Sequence, residues 1–108
     1  MARDLNAEIE QQVKDNKVVL YMKGTPTFPM CGFSAAAVAV LEDIGAEFKA
    51  VNILEDQEIR EAIKSYSDWP TIPQLYVAGE FIGGSDIMRD LHSKGELAGI
   101  IAKATGKG

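Results

Sequence analysis

The only cysteine of the 108-residue chain, Cys31, lies in the stretch MCGFS, with Ser34 where a Cys-x-x-Cys pair would place its second thiol. A thiolate is the form of cysteine that attacks disulfides and binds metal ions. Since Ser34 cannot close a disulfide, the motif limits the chemistry to that of one thiol. A lone cysteine is more often a small buried side chain. Here, however, the Pro- and Gly-rich stretch GTPTFPMCG indicates an exposed loop.

Two elements are predicted to position this cysteine. KVVLYMK (17–23) is a short apolar run, typical of a strand buried on both faces of a sheet. From Ser34, the run SAAAVAVLEDIG predicts a helix that ends at Gly45. Cys31 would therefore stand at a helix N-terminus. Unpaired N–H groups and the helix dipole there lower the pKa of a thiol and favour thiolate at neutral pH.

The rest of the chain continues an alternation of helices and strands. Leu5, Ile9 and Val13 recur every four residues, as on the apolar face of a first helix. EFKAVNI predicts a second strand, EDQEIREAIKSY a helix, and PQLYV, AGE and FIGG a hairpin with its turn near Gly79. Ser85 or a neighbour is expected to cap a further helix, and ELAGIIAKA supplies the last one. The order α-β-α-β-α-β-β-α-α predicts an α/β fold, with a four-stranded mixed sheet flanked by helices.

Composition and charge restrict the class of protein. Residues 1–108 have the length of one domain, and 46% hydrophobic and 25% charged residues are ordinary for a globular protein. A net charge of -5 lacks the basic footprint that nucleic acid or an anionic membrane requires. No apolar run reaches the ~20 residues of a membrane span. One cysteine fits a reducing compartment: the bacterial cytoplasm or, if a presequence was removed, the mitochondrial matrix or a plastid.

Three segments, KGTPTFPMCGFS, WPTIPQLYV and GEFIGGSDI, resemble in order and spacing the signatures of the monothiol glutaredoxins of the CGFS type. The resemblance covers essentially the whole chain and identifies residues 1–108 as one glutaredoxin domain. It implies a thioredoxin-like fold, in agreement with the element order above. It also implies glutathione binding and, as in many members, a [2Fe-2S] cluster shared between two subunits.

Glutathione carries two carboxylates, one ammonium group and a thiol, so its site needs cations and an acid. By resemblance, Lys23 and Arg60 hold the glycine carboxylate, and Lys64, one helical turn from Arg60, is a further candidate. Taken alone, Arg60 and Lys64 are more simply a solvated helix face. Phe33 is expected to shield the thiol or pack against glutathione. Trp69 is expected to pack and to stiffen its loop at the border of the site.

Two further segments complete the expected glutathione site. The family has a cis proline beside the cysteine, so we expect a cis Ile72–Pro73 bond, with the Ile72 backbone pairing with the extended peptide. In GGSD, Gly84 permits close approach of a ligand. Ser85 and Asp86, at a helix N-terminus, are expected to hold the γ-glutamyl end, with Asp86 taking its ammonium. An ordinary Ser/Asp helix cap is the simpler interpretation of the same residues.

A [2Fe-2S] cluster normally needs four thiolate ligands. Cys31 from two copies and two glutathione thiolates complete that count. The count predicts a cluster-bridged homodimer that suits a carrier of the cluster. Together with the resemblance, it implies a role in iron–sulfur assembly and iron homeostasis, with a monomer as the apo form. The resemblance also suggests BolA-family and apo iron–sulfur proteins as partners. The alternative is a monothiol glutathione-disulfide oxidoreductase acting on glutathionylated proteins, with Cys31 as the nucleophile.

The spacing between Lys23 and Cys31 favours the carrier. They are eight positions apart, whereas the family's active reductases separate the corresponding residues by three. The five additional residues, drawn from GTPTFPM, should alter the approach of the glutathione sulfur and slow the exchange. A third possibility, a bare thioredoxin-like interaction module, leaves the glutathione constellation unexplained.

Overall fold

The computed structural model describes residues 3–106. Within that range, five helices and four strands follow one another in the predicted order. Their bounds are α1 Leu5–Asp15, β1 Val18–Met22, α2 Gly32–Ile44, β2 Lys49–Asn52, α3 Gln57–Ser67, β3 Gln74–Val77, β4 Glu80–Gly83, α4 Ser85–Ser93 and α5 Glu96–Thr105.

The strands form one mixed sheet in the order β2-β1-β3-β4. β1 is parallel to β2 and antiparallel to β3, and β3 forms a hairpin with β4. All five residues of β1 are buried, because this strand has a neighbour on each side and side chains packed on both faces. The hairpin turns at Ala78 and Gly79, whose φ angles of 53° and 81° suit a tight two-residue connection. The predicted mixed sheet and hairpin are confirmed.

Alternate residues of β1 enter two different cores. Val18, Leu20 and Met22 join residues of α2, α4 and α5 in an aliphatic layer on one face. Val19 and Tyr21 join residues of α1 and α3 on the other face. β1 is thereby packed from both sides, which holds its carboxyl end, and the loop that follows it, in place. No helix within residues 3–106 is both long and apolar enough to cross a membrane.

Some element boundaries differ from the prediction. β2 comprises only Lys49–Asn52, because it is an edge strand and its pairing is limited to the length of β1. α2 begins at Gly32, with Cys31 as its N-cap residue, two residues earlier than predicted. At α4, the cap expected at Ser85 or a neighbour is Gly84, and Ser85 is the first helical residue.

Candidate functional site

One cavity of about 420 Å³ lies where the carboxyl end of β1, the N-terminal ends of α2 and α4, and segment 69–73 meet; we call it the thiol pocket. Its walls come from parts of the chain far apart in sequence, so the fold assembles it. They include every residue that the sequence predicted for the site: Lys23, Cys31, Phe33, Arg60, Lys64, Ile72, Pro73, Gly84, Ser85 and Asp86.

Cys31 is partly exposed in this pocket, at the N-terminus of α2. The backbone N–H of Ser34 has the largest effect in lowering the pKa of the Cys31 thiol below its ordinary value. Burial opposes this, while the Phe33 N–H, the charge of Lys23 and the Ser34 hydroxyl also lower the pKa. The thiolate is therefore favoured, as predicted from the helix N-terminus. In residues 3–106, no group of three or more His, Cys, Asp or Glu side chains is arranged to hold a metal ion.

Ser34, which stands in place of a second thiol, is fully buried. Its hydroxyl oxygen accepts a hydrogen bond from the Lys23 N–H at 3.0 Å. The bond joins the end of β1 to the first turn of α2, the two elements that position Cys31. Ser34 therefore has a structural contact of its own, which the Cys-x-x-Ser spacing did not predict.

Segment 24–30, which precedes the thiol, is folded back on itself. Gly24 pairs with Pro29 as an isolated antiparallel bridge, and the Thr25 N–H donates to the Phe28 carbonyl at 3.1 Å. Gly24 has a φ of 90°, and a Cβ at this position would lie 2.4 Å from the Phe28 carbonyl oxygen. Only glycine fits there without a backbone shift. The additional residues before Cys31 thus form a closed loop.

Asn52, at the end of β2, fastens this loop to the sheet. Its side-chain oxygen accepts hydrogen bonds from the Gly24 N–H at 2.9 Å and the Leu54 N–H at 3.0 Å. The loop places Phe28 and Met30 in solvent, with 74% and 68% of their surface exposed. Beside the thiol, the molecule therefore presents apolar surface on a hydrogen-bonded loop.

Three cationic side chains line the thiol pocket: Lys23 after β1, and Arg60 and Lys64 on α3. The Nε–H of Arg60 is buried and has no hydrogen-bond partner within the described part of the chain, although buried polar groups are nearly always paired. Lys64 Nζ lies 3.8 Å from Glu61 Oε1. An acceptor on a bound ligand, such as a carboxylate oxygen, would satisfy the Arg60 N–H.

The peptide bond between Ile72 and Pro73 is cis, as the resemblance implied, and both residues are buried. Gln74, the next residue, has no exposed surface. Its side-chain amide donates to the carbonyl oxygens of Trp69 at 3.0 Å and Thr71 at 3.1 Å. Sequence reasoning did not single out Gln74; the available signal was a polar residue at the start of the otherwise apolar run PQLYV.

The start of α4 forms the wall of the pocket next to segment 69–73. A Cβ on Gly84 would lie 3.3 Å from the Pro73 carbonyl oxygen and 3.5 Å from Nε1 of Trp69. The absence of a side chain therefore lets the start of α4 lie directly against segment 69–73. Ser85 is buried and Asp86 exposed in the first turn of α4, where unpaired N–H groups favour an anionic group and the carboxylate favours a cation. Trp69, expected at the border, is one of the lining residues.

Sequence comparisons agree on the family. The family model described as Glutaredoxin matches residues 18–82. The chain is 55% identical over 89 residues to a probable monothiol glutaredoxin 2 of Rickettsia conorii (82% of this chain, 83% of that protein). It is 49% identical over 107 residues to the mitochondrial monothiol glutaredoxin-5 of Saccharomyces cerevisiae (96% of this chain, 71% of that protein).

Solved structures agree on the fold. The solution structure of reduced poplar apo GrxS14 matches with a TM-score of 0.82 and 48% identity, covering 94% of this chain and 93% of that one. A crystal structure of a buckwheat glutaredoxin–glutathione complex matches with a TM-score of 0.84 at 20% identity, covering 94% and 90%, a likeness of fold alone. The fold is thus the thioredoxin-like one. The chain belongs to the glutaredoxin family, as one of its monothiol members.

Proposed function

We propose that this monothiol glutaredoxin carries a [2Fe-2S] cluster, which two copies of the chain hold together with two glutathione molecules and pass to recipient proteins. The observation that carries the proposal is the composition of the thiol pocket. The single thiol of the chain shares that pocket with three cations, one of which has a buried N–H without a partner in the described range. These are groups that a thiolate-coordinated metal and a dicarboxylate ligand would use.

The number of available thiolates supports the stoichiometry. A [2Fe-2S] cluster takes four thiolate ligands, and each chain has one cysteine. Two chains leave two positions on the cluster open, and two glutathione thiolates fill them. Because half of the ligands are small and exchangeable, the cluster is released more readily than from a site of four protein cysteines. That property suits a carrier of the cluster as cargo.

The charges around the pocket support glutathione as the second ligand. We assign the glycine carboxylate to Lys23 and Arg60, with Lys64 as a further cation. The Arg60 Nε–H, which has no partner among residues 3–106, is suited to a charge-assisted hydrogen bond. The peptide backbone of glutathione would pair with Ile72 next to Pro73, and Phe33 would lie beside its sulfur.

We assign the γ-glutamyl end to the start of α4. Gly84 and Ser85 would hold its carboxylate through backbone N–H groups, and Asp86 its ammonium. The buckwheat protein of the same fold is a glutathione complex, which supports this ligand without identifying its contacts here.

The carrier would act with partners in a reducing compartment. We propose BolA-family and apo iron–sulfur proteins as partners, a monomer as the apo form, and a homodimer when the cluster is bound. The compartment would be the bacterial cytoplasm, or a mitochondrion or plastid.

A glutathione-disulfide oxidoreductase is the second candidate, because the Cys31 thiolate is favoured. The Cys31 thiolate would attack the glutathione sulfur of a mixed disulfide between glutathione and a substrate protein. This step would form a disulfide between Cys31 and glutathione and release the thiolate of the substrate protein. A second glutathione thiolate would then attack the glutathione sulfur, regenerate the Cys31 thiolate and release glutathione disulfide. The closed loop before Cys31, anchored through Gly24, argues for slow turnover, since it constrains the approach of the incoming glutathione.

Anaerobic reconstitution with iron and sulfide, with and without glutathione, separates these functions. We expect a visible chromophore and two iron atoms per pair of chains only when glutathione is present. A chromophore of equal intensity without glutathione, or none in either case, would contradict the carrier proposal. The apo protein should turn over a glutathione mixed disulfide slowly, and rapid turnover would favour the oxidoreductase.

A further inference from the structure

Gln74 is the one fully buried amide side chain among the described residues. It is the first residue of β3 and directly follows the cis Ile72–Pro73 bond. A primary amide has two N–H donors and an acceptor oxygen, and burying these groups without partners destabilises the folded state. The buried amide of Gln74 therefore needs hydrogen-bond partners, and these partners indicate its structural role.

Both ends of this amide are engaged. Nε2 donates to the carbonyl oxygens of Trp69 at 3.0 Å and Thr71 at 3.1 Å. Oε1 accepts a hydrogen bond from the Tyr76 hydroxyl at 3.3 Å. Two of the three bonds thus fix the backbone of segment 69–71, which lines the thiol pocket, and the third connects Gln74 to the core beneath the sheet.

Segment 69–73 is otherwise anchored at its first residue, where the Trp69 N–H donates to the Lys64 carbonyl and the Ser67 hydroxyl, both at 3.1 Å, and the Trp69 carbonyl accepts from the Ser67 hydroxyl at 3.4 Å. It contains no helix or strand, and Pro70 and Pro73 have no N–H group to donate. The Trp69 ring packs on Phe81, with 5.8 Å between ring centroids, and its Nε1 lies beside Gly84. A displacement of this segment would therefore also disturb the start of α4.

We infer that Gln74 is a positioning residue for the glutathione site. Its two N–H groups hold the Trp69 and Thr71 carbonyls away from the ligand. They also set the distance between segment 69–73 and the start of α4. The inference rests on the proposed glutathione binding. With one lone pair of each carbonyl engaged by Gln74, this wall of the pocket presents fewer acceptors and suits an anionic ligand.

Titration of the ¹⁵N-labelled apo protein with reduced glutathione tests this role, with thermal unfolding measured in parallel. Gln74→Met keeps the size of the side chain and removes both donors, and Gln74→Glu keeps its shape and replaces the donors by an acceptor. We expect about tenfold weaker glutathione binding for either variant, because the Trp69 and Thr71 carbonyls lose the donors that Gln74 supplies. Tyr76→Phe, the matched control, removes the hydroxyl that donates to Oε1 of Gln74 and leaves both bonds from Nε2 in place. This variant should bind glutathione within about twofold of the wild type.

The three variants distinguish positioning from plain stability. If Gln74→Met and Tyr76→Phe both lower the melting temperature and both keep wild-type affinity, Gln74 is only a stabilising residue and the inference is wrong. Should the Gln74 variants fail to fold, the wild type decides. Its two Gln74 side-chain amide proton signals should be protected from solvent exchange and shift on glutathione binding, and unshifted signals would contradict the inference. A wild type that binds no glutathione would instead overturn the proposed function, and this inference with it.

Discussion

The two ends of α2 open onto two concavities of opposite character. At its N-terminal end, next to Cys31, lies the thiol pocket of about 420 Å³. Near its C-terminal end, at Gly45, lies a larger cavity of about 740 Å³, which we call the far cleft. The far cleft is the larger of the two, but the thiol and the three cations that a functional site would use lie in the smaller thiol pocket.

Helix polarity accounts for much of this difference. The thiol pocket receives the N-terminal ends of α2 and α4, which carry partial positive charge, together with three cations. The far cleft is lined by the C-terminal ends of α1, α2 and α5, where unpaired carbonyl groups carry partial negative charge. The helix termini therefore stabilise a thiolate and the carboxylates of a ligand at the first end and disfavour them at the second. Charged side chains of both signs also line the far cleft, including Asp15, Lys17 and Lys49.

The largest expected difference between the two ends is in cluster binding. Cys31→Ser should abolish the visible chromophore after reconstitution, because the chain then has no thiolate. Lys49→Gln in the far cleft should leave the chromophore and the iron content unchanged. A cluster that survives Cys31→Ser would show that the thiol pocket does not hold it.

Substitution of Gly24, in the loop before Cys31, and of Gly45, at the end of α2, should differ in its effect on stability. Gly24→Ala should lower the free energy of unfolding by about 2–4 kcal/mol, because its φ is 90° and its Cβ would lie 2.4 Å from the Phe28 carbonyl oxygen. Gly45 also has a positive φ, 79°, but a Cβ added there would meet no atom within 4 Å. Gly45→Ala should therefore lower the free energy of unfolding by only about 1 kcal/mol. Urea unfolding monitored by circular dichroism checks both values. Equal effects at the two positions would mean that the loop before Cys31 is not tightly closed.

Charge removal should affect glutathione only at the pocket end. Arg60→Met should weaken binding of reduced glutathione to the apo protein about tenfold, through loss of a charge-assisted hydrogen bond. Lys17→Met in the far cleft removes the same charge and should leave the dissociation constant unchanged. NMR titration measures both dissociation constants. A comparable loss of affinity for Lys17→Met would show that the effect of Arg60→Met comes from the change in net charge.

The smallest effect concerns the titration of the thiol. Because the pKa of Cys31 is lowered, chiefly by the Ser34 N–H, alkylation of the apo protein should reach half its maximal rate below the pH of about 8.5 expected for a free cysteine. Thiolate, and with it reactivity, is lost as the pH falls through the folded-state pKa. Ser34→Ala removes the hydroxyl and keeps the N–H, so the midpoint should rise only part of the way towards that of a free cysteine. Rates of iodoacetamide reaction against pH check the order, and a midpoint above 8.5 in the wild type would contradict it.

Local sequence patterns predicted the elements and the location of the thiol. Burial of β1 follows from a continuous apolar run, and the end of α2 follows from Gly45, whose φ is 79°. The position of Cys31 before a helix follows from these two elements together. The cis bond at Pro73 came from the family resemblance, because nothing in the local sequence distinguishes it from the commoner trans form.

Contacts between distant residues could not be predicted in this way. Asn52 and Gly24 are 28 positions apart, and their hydrogen bond depends on the pairing of β1 with β2. Gln74 is close to Trp69 in sequence, yet its role depends on how a loop without regular structure folds over the buried amide. Hydrophobic periodicity indicates which face of an element is apolar. It carries no information on which polar group of a loop will form a hydrogen bond with a side chain such as that of Asn52 or Gln74.

The native mass of the protein after anaerobic reconstitution in the presence of glutathione tests directly whether two chains and two glutathione molecules share one cluster. We expect one species made of two chains, one [2Fe-2S] cluster and two glutathione molecules, which reverts to monomers when the cluster is removed. A cluster-loaded single chain, or a loaded dimer without glutathione, would contradict the assignment of Cys31 as one of four thiolate ligands.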